Sequence, residues 1–134
     1  MTYTELRALQ KEAQRLWISG WWLLMETENC LRECNGCGAE WMPKWIRKFL
    51  DKFLRLFAPA IAIHDMRYYK HEENRDKWDD EFEVNCREIL YDKYGFWNPM
   101  RWLGKLVIRQ LRGALATLGG IAWDDAGKRF AEVE

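Results

Sequence analysis

Residues 58–86 have the sequence APAIAIHDMRYYKHEENRDKWDDEFEVNC, and this stretch decides the fold. Pro59 suits the first turn of an α-helix, and the polar residues 71–74 are typical of a turn. Apolar side chains then recur at spacings of three and four as far as Lys93, which predicts a second helix. Two helices joined by a short polar turn pack antiparallel. The sequence therefore predicts an antiparallel helix pair.

This pair brings a histidine and a carboxylate together. With the turn at its centre, His64 on the first helix faces Asp79 on the second. His64 is then placed to take a proton from water, while Asp79 orients the imidazole and stabilises its charged form. Tyr68, one turn after His64, reaches the same carboxylate. Asp65 points to another side of the helix, where it is available to a metal ion.

A hard cation needs more oxygen ligands than Asp65 alone can supply. Ca²⁺ takes six to eight oxygens, and backbone carbonyls would have to provide most of them. The glycine-broken segment 35–41 is the available source, because glycine lets carbonyl groups converge without a side-chain clash. We therefore expect a calcium-type loop beside the helix pair.

The flanking segments also predict helices. Thr2 and Glu5 have the spacing of a capping box at the start of a first helix. Another helix begins after Pro43 and runs to about Phe57. A last amphipathic helix is expected to end near residues 119–120, where two glycines follow each other. The apolar face of this last helix is expected to contain Leu103, Leu106, Val107, Leu111, Leu115 and Leu118.

These elements predict an all-α fold in a single domain. We assign residues 1–134 to that domain and place its motif-bearing core at about residues 35–93. The composition agrees, since 49% of the residues are apolar and 31% are charged. Nine tryptophans are many for a chain of this size, and they indicate either a well-packed core or an interface.

The overall charge balance favours no particular partner. Lys and Arg number 21, and so do Asp and Glu. The charge is nevertheless uneven, because residues 94–122 contain no acid and four basic residues. A second basic cluster lies at residues 44–55. Solvated helix faces would explain these clusters, and so would contact with anionic lipid or with nucleic acid.

Four cysteines leave three interpretations open: Cys30, Cys34, Cys37 and Cys86. Their spacing allows a zinc site, although the paired C-x2-C pattern of most zinc sites is missing. A disulfide and free thiols are the other two possibilities. Free thiols are the expectation in the cytoplasm, where cysteines stay reduced.

The first residues do not resemble a secretion signal. They form a polar amphipathic segment, and the apolar stretch at residues 16–25 is too short to span a bilayer. We therefore expect a cytoplasmic protein, with a peripheral position on the inner face of the membrane as a further option.

The motifs occur in a familiar order. Asn35-Gly36-Cys37-Gly38 is followed by H-D-x-x-Y at residues 64–68 and by D-x-x-F at residues 79–82. This order resembles the phospholipase A2 superfamily, and it is most similar to the compact phospholipase A2-like proteins of phages and prophages. The resemblance covers residues 35–86. It implies calcium-dependent hydrolysis of the sn-2 ester of phospholipids.

The resemblance also implies roles for individual residues. His64 would be the general base, with Tyr68 and Asp79 as its supporting network, and Asp65 would bind Ca²⁺. Carbonyl groups that would complete the calcium site belong to Gly36, Gly38 and Glu40. The Gly38 N–H would contribute to the oxyanion hole. The surface that would meet a phospholipid membrane consists of Trp41, Trp45, Lys44 and Lys48.

The chain departs from the family pattern at several positions. Residues 39–41 are Ala-Glu-Trp where the secreted enzymes continue with glycines. Ile61 replaces the usual cysteine, so Cys37 lacks its expected disulfide partner. Trp78 stands beside Asp79, where a bulky side chain would crowd the site. These departures favour the main alternative, a non-enzymatic interaction or membrane-binding protein on the same fold. A zinc-stabilised nucleic-acid binder is a more distant alternative, and we expect no nucleic-acid partner.

Overall fold

The computed structural model describes residues 1–34 and 44–133, and this part of the chain is helical with short connections. The all-α class predicted from the sequence is therefore confirmed. The helices are α1 (Tyr3–Leu16), α2 (Thr27–Glu33), α3 (Lys44–Leu56), α4 (Ala58–Lys70), α5 (Arg75–Lys93) and α6 (Pro99–Val133). A short 3₁₀ helix at Trp21–Met25 precedes α2.

Local sequence signals explain several helix ends. The Thr2 hydroxyl accepts a hydrogen bond from the Glu5 amide at 3.1 Å, and the Glu5 carboxylate accepts one from the Thr2 amide at 3.0 Å. The predicted capping box is therefore present. Asn74 caps α5 by accepting a hydrogen bond from the Lys77 amide. His71 ends α4 in the left-handed region, with a φ of 56°.

The central helix of the fold is α4. Eight of its thirteen residues are buried, and it packs against α1, α2, α5 and α6. The main hydrophobic core surrounds it and includes Leu6, Leu24, Phe57, Ile63 and Leu90, each fully buried. Because α4 and α5 are joined by the turn at residues 71–74, they pack antiparallel as the sequence predicts.

The predicted end of α6 was wrong. The helix does not stop at residues 119–120 but continues to Val133. Gly119 and Gly127 permit close approach to the turn between α4 and α5. A Cβ atom at Gly119 would lie 3.0 Å from the Tyr68 hydroxyl, and one at Gly127 would lie 2.7 Å from the His71 ring. These glycines therefore serve helix packing and not termination.

The predicted buried face of α6 was also partly wrong. Val107, Leu111 and Leu115 are buried as expected. The exposed side chains include three predicted core positions: Leu103, Leu106 and Leu118. Gly104 explains the difference, because a Cβ atom there would overlap with the Leu90 side chain. Gly104 therefore faces α5 at a close helix crossing. Val107, Leu111 and Leu115 follow Gly104 at spacings of three and four, so they lie on the same buried side of α6.

Within the described ranges, no helix is both long enough and apolar enough to cross a membrane. Helix α6, with 35 residues, has sufficient length at about 50 Å. Basic side chains at Arg101, Lys105, Arg109 and Arg112 interrupt its apolar character.

Glu81 is an acidic residue that is largely buried. The Arg67 guanidinium donates two hydrogen bonds to its carboxylate, at 3.0 and 2.9 Å. The exposed fractions of the two side chains are 13% and 9%. The Ser19 hydroxyl donates a third hydrogen bond to Glu81 at 2.8 Å. This ion pair therefore joins α4 and α5 to the connection after α1.

Replacing Glu81 with glutamine is expected to lower the free energy of unfolding by about 3 kcal/mol, because the Arg67 charge would be left without its partner. Urea unfolding measures this directly. Glu73→Gln is the matched control, since Glu73 pairs with Lys77 on the surface, with side chains 55% and 53% exposed. The control should lose less than about 1 kcal/mol. Equal losses in the two variants would contradict the structural role of Glu81.

Candidate active site

His64 and Asp79 face each other across α4 and α5. The Nε2 atom of His64 lies 2.8 Å from Oδ1 of Asp79, so the two side chains share a hydrogen bond. Asp79 is fully buried, and His64 is 8% exposed. The antiparallel turn sets this register, because it places the two residues at the same depth on neighbouring helices.

Tyr68 completes the local network. Its hydroxyl donates a hydrogen bond to the same Oδ1 atom of Asp79 at 2.6 Å. Its ring centroid lies 4.2 Å from that of His64, and the Phe82 ring lies 5.1 Å from His64. The imidazole therefore has aromatic neighbours on both α4 and α5, and this packing limits the directions in which it can turn.

The second oxygen of Asp79 faces a basic residue that the sequence reasoning missed. Oδ2 is buried and has no hydrogen-bond partner among the described residues, but the Arg112 guanidinium lies 3.8 Å away. Arg112 also donates a hydrogen bond to Asp80 at 3.0 Å. The basic character of residue 112 was visible in the sequence. Its position was not, because the register of α6 against α5 depends on long-range packing.

Electrostatics favour an ionised Asp79. Burial alone would raise the pKa of Asp79, but the hydrogen bonds from His64 and Tyr68, together with the Arg112 charge, lower it below its usual value. Burial is also the main reason why the pKa of Tyr68 is raised, and its hydrogen bond to Asp79 adds to the effect. Tyr68 is therefore a neutral donor and Asp79 a charged acceptor at neutral pH.

This arrangement leaves one imidazole nitrogen available for chemistry. An ionised Asp79 accepts a hydrogen bond from Nε2, which makes Nδ1 the lone-pair nitrogen of a neutral His64. Within the described residues, Nδ1 of His64 makes no hydrogen bond. A histidine in this tautomer, backed by a carboxylate, can accept a proton from water.

Asp65 lies beside the point where the chain enters residues 35–43. It is partly buried on α4. Cys34, the last described residue before that segment, donates a hydrogen bond from its thiol to the Ala62 carbonyl at 3.3 Å. The pKa of Cys34 is raised mainly by its hydrogen bond with Cys30 and by burial, and the nearby Asp65 charge raises it further. The Asp65 carboxylate therefore lies near Cys34, the last described residue before residues 35–43.

Several predicted site residues lie outside the described ranges, namely Gly36, Gly38, Glu40 and Trp41. Lys44 and Lys48 lie on α3 and are exposed. Trp45 belongs to the same helix. Of the predicted interfacial residues, the structure thus describes the exposed Lys44 and Lys48 and the backbone of Trp45.

Trp78 packs in a small buried cluster with Tyr68, Ala126 and Trp123. Its indole N–H donates a hydrogen bond to the Glu72 carbonyl at 2.6 Å, and the Arg67 guanidinium lies 4.0 Å above its ring. Both contacts direct Trp78 towards the turn between α4 and α5. His71, predicted as a turn residue, does occupy that turn, and it also stacks on Trp123 with ring centroids 3.8 Å apart.

The described cysteines are free thiols. Cys30, Cys34 and Cys86 are all buried, and Cys37 lies outside the described residues. Burial raises the pKa of Cys86, which keeps it a neutral thiol in the core. The described part of the chain contains no group of three or more His, Cys, Asp or Glu side chains that could hold a metal ion.

Comparison of the chain with family models, with curated proteins and with solved structures found no match.

Proposed function

We propose that this protein is a phospholipase A2-type hydrolase that cleaves the sn-2 ester of phospholipids with the help of calcium. The observation that carries the proposal is the hydrogen-bonded network of His64, Asp79 and Tyr68. The three residues occupy the positions of the H-D-x-x-Y and D-x-x-F motifs of the resemblance. The network supports the proposal because it provides a histidine base that a buried carboxylate orients.

In the proposed reaction His64 is the general base. Its Nδ1 atom removes a proton from water, and the resulting hydroxide attacks the ester carbonyl carbon. Asp79 stabilises the imidazolium that forms, because its negative charge lies 2.8 Å from Nε2. When the tetrahedral intermediate collapses, the same proton passes from His64 to the leaving alcohol. Tyr68 and Arg112 keep Asp79 ionised throughout this cycle.

Asp65 would be the carboxylate ligand of calcium. Its chemistry fits, since carboxylate oxygen is a preferred ligand of Ca²⁺, and its position beside Cys34 fits a site shared with the following segment. Further ligands would be the carbonyls of Gly36, Gly38 and Glu40, with the Gly38 amide contributing to the oxyanion hole. When bound, the ion would supply positive charge that stabilises the tetrahedral oxyanion.

Calcium should stabilise the wild-type protein against heat. At about 100 times the Kd, bound calcium adds about 2.7 kcal/mol to the free energy of unfolding. Asp65→Asn should remove this response and leave the fold without calcium intact. Differential scanning fluorimetry with and without calcium measures both effects.

The matched control for the calcium experiment is Asp76→Asn, because Asp76 is an exposed acid in the first turn of α5. That variant should keep the full calcium response. A wild-type protein that shows no response at millimolar calcium would contradict the calcium site and favour the non-enzymatic alternative.

The substrate of such an enzyme lies in a membrane, so the protein must bind a phospholipid surface. We assign part of this contact to Trp41, Trp45, Lys44 and Lys48. Indole rings are favoured at headgroup depth, and lysines attract anionic lipid. The exposure of Lys44 and Lys48 supports this assignment. A cytoplasmic protein would meet the inner face of the membrane.

A further inference from the structure

The connection between α5 and α6 carries an exposed aromatic cluster. Trp97 is 89% exposed, Phe96 is 55% exposed and Trp102 is 49% exposed. The Phe96 ring lies 5.0 Å from Trp97 and 5.9 Å from Trp102. Large aromatic side chains that gather on a surface indicate a binding site, because leaving them in water is unfavourable.

Basic side chains surround this cluster. The Arg101 guanidinium lies 3.8 Å over the Tyr91 ring, and the Lys105 ammonium lies 4.4 Å from the Trp102 ring. Arg109 is exposed one turn after Lys105. No acidic residue occurs between residues 94 and 122. The connection and the start of α6 therefore present aromatic rings together with basic side chains.

A groove of about 660 Å³ continues from the cluster between α5 and α6. Trp102, Lys105 and Arg109 line its α6 side. On its α5 side, Glu83 pairs with Arg87 at 3.3 Å, so these two charges offset each other. The net charge of the lining is therefore positive. Its apolar walls and positive rim match a molecule with an acyl chain and an anionic headgroup.

We propose that this surface docks onto an anionic phospholipid bilayer. We call it the corner surface and define it by Phe96, Trp97, Trp102, Lys105 and Arg109. The rings enter the headgroup region, and the basic side chains contact lipid phosphates. A second surface is thereby added to the one assigned to Trp41 and Trp45. The inference rests on the proposed function, because a phospholipase has to reach a substrate that lies in a bilayer. Binding of lipid at this surface nevertheless does not require hydrolysis.

The corner surface leads towards the candidate active site. Lys105, Arg109 and Arg112 lie at spacings of four and three, which places them along one side of α6. Arg112 contacts Asp79 and Asp80 at the far end of this row. The row is about 10 Å long. Docking at the corner surface would therefore bring a bilayer close to the network around His64.

The test measures binding to vesicles that cannot be hydrolysed. Ether-linked phosphatidylglycerol and phosphatidylcholine in equal amounts, sedimented with the protein, give a partition coefficient without any ester cleavage. Lys105→Gln with Arg109→Gln should weaken partitioning about thirtyfold, since each basic residue near the surface contributes a factor of about five. Phe96→Ala with Trp97→Ala should weaken it at least about tenfold.

Matched variants elsewhere on the chain separate this surface from general charge and aromatic effects. Arg7→Gln with Lys11→Gln removes an exposed basic pair with the same spacing on α1, and Trp17→Ala removes another exposed tryptophan. These controls should bind vesicles like the wild type. Equal weakening in the controls would overturn the inference, and so would unchanged binding in the corner variants.

A second copy of the chain is the competing occupant of this surface. Analytical ultracentrifugation of the same samples distinguishes it. If the wild type is an oligomer, and if the substitutions in the corner surface dissociate it without changing vesicle binding, the surface serves self-association and the proposal is overturned. Turnover of a soluble short-chain ester tests the active site separately, because the corner variants should preserve it.

Discussion

Replacing His64 with glutamine is expected to lower kcat for the proposed phospholipid hydrolysis by a factor of about 10³, because the variant has no side chain that can accept the proton from water. Glutamine approximates the size of the imidazole and can still hydrogen-bond Asp79, so the fold should survive. The loss should appear with vesicles and with a soluble short-chain phospholipid alike. Release of the sn-2 fatty acid in the presence of calcium is the measurement.

His71 provides the control for this experiment. It is the second of the two histidines in the chain, and it lies at the α4–α5 turn, where it stacks on Trp123. His71→Asn should retain activity within a few-fold, since asparagine tolerates the left-handed conformation of this position. A wild-type protein without calcium-dependent hydrolysis, or a His64→Gln variant with full activity, would favour the non-enzymatic alternative.

Replacing Asp79 with asparagine is expected to lower kcat about 100-fold and the free energy of unfolding by about 2 kcal/mol. The catalytic loss arises because an amide does not stabilise the imidazolium form of His64. The loss of stability arises because the hydrogen bonds to a buried charge are weakened and Arg112 loses its nearby carboxylate. Rate measurements on a soluble substrate and urea unfolding at pH 7 quantify the two effects.

The Asp79 variant also has a signature in the pH dependence of stability. Burial is outweighed by the hydrogen bonds from His64 and Tyr68, which lower the pKa of Asp79 in the folded protein below its usual value of 3.8, so the ionised side chain stabilises the fold above that value. This contribution is lost as the pH falls through the folded pKa. The difference in unfolding free energy between wild type and Asp79→Asn should therefore shrink as the pH falls below 3.8. A difference that stays constant across this range would contradict an ionised, hydrogen-bonded Asp79.

Local sequence information was sufficient for the α4–α5 pair. The turn at residues 71–74 is short, so it fixes the register of the two helices without help from the rest of the chain. The predicted contact between His64 and Asp79 depends on this register alone, and the structure contains the corresponding hydrogen bond. The capping box at Thr2 and Glu5 is equally local.

Features that depend on distant packing were not predictable in the same way. The continuation of α6 past Gly119 depends on contacts with Tyr68 and Arg75, which belong to other helices. The burial of Glu81 is likewise not visible in the sequence, because its partner Arg67 belongs to another helix and the two meet only when α4 and α5 pack. Arg112 was recognised as basic, but its place beside Asp79 follows from the crossing of α6 over α5.

The contact between Arg112 and Asp79 makes the packing of α6 and the charge of Asp79 interdependent. Arg112 is one of the groups that lower the pKa of Asp79. Thermodynamic reciprocity requires that ionisation of Asp79 in turn favours the association of α6 with the α4–α5 pair by the same free energy. The carboxylate that orients His64 thus also contributes to assembling the tertiary structure around it. In acid, protonation of Asp79 removes the negative charge beside the His64 imidazole. The same protonation weakens the packing of α6 against the α4–α5 pair, because Arg112 loses its charged partner.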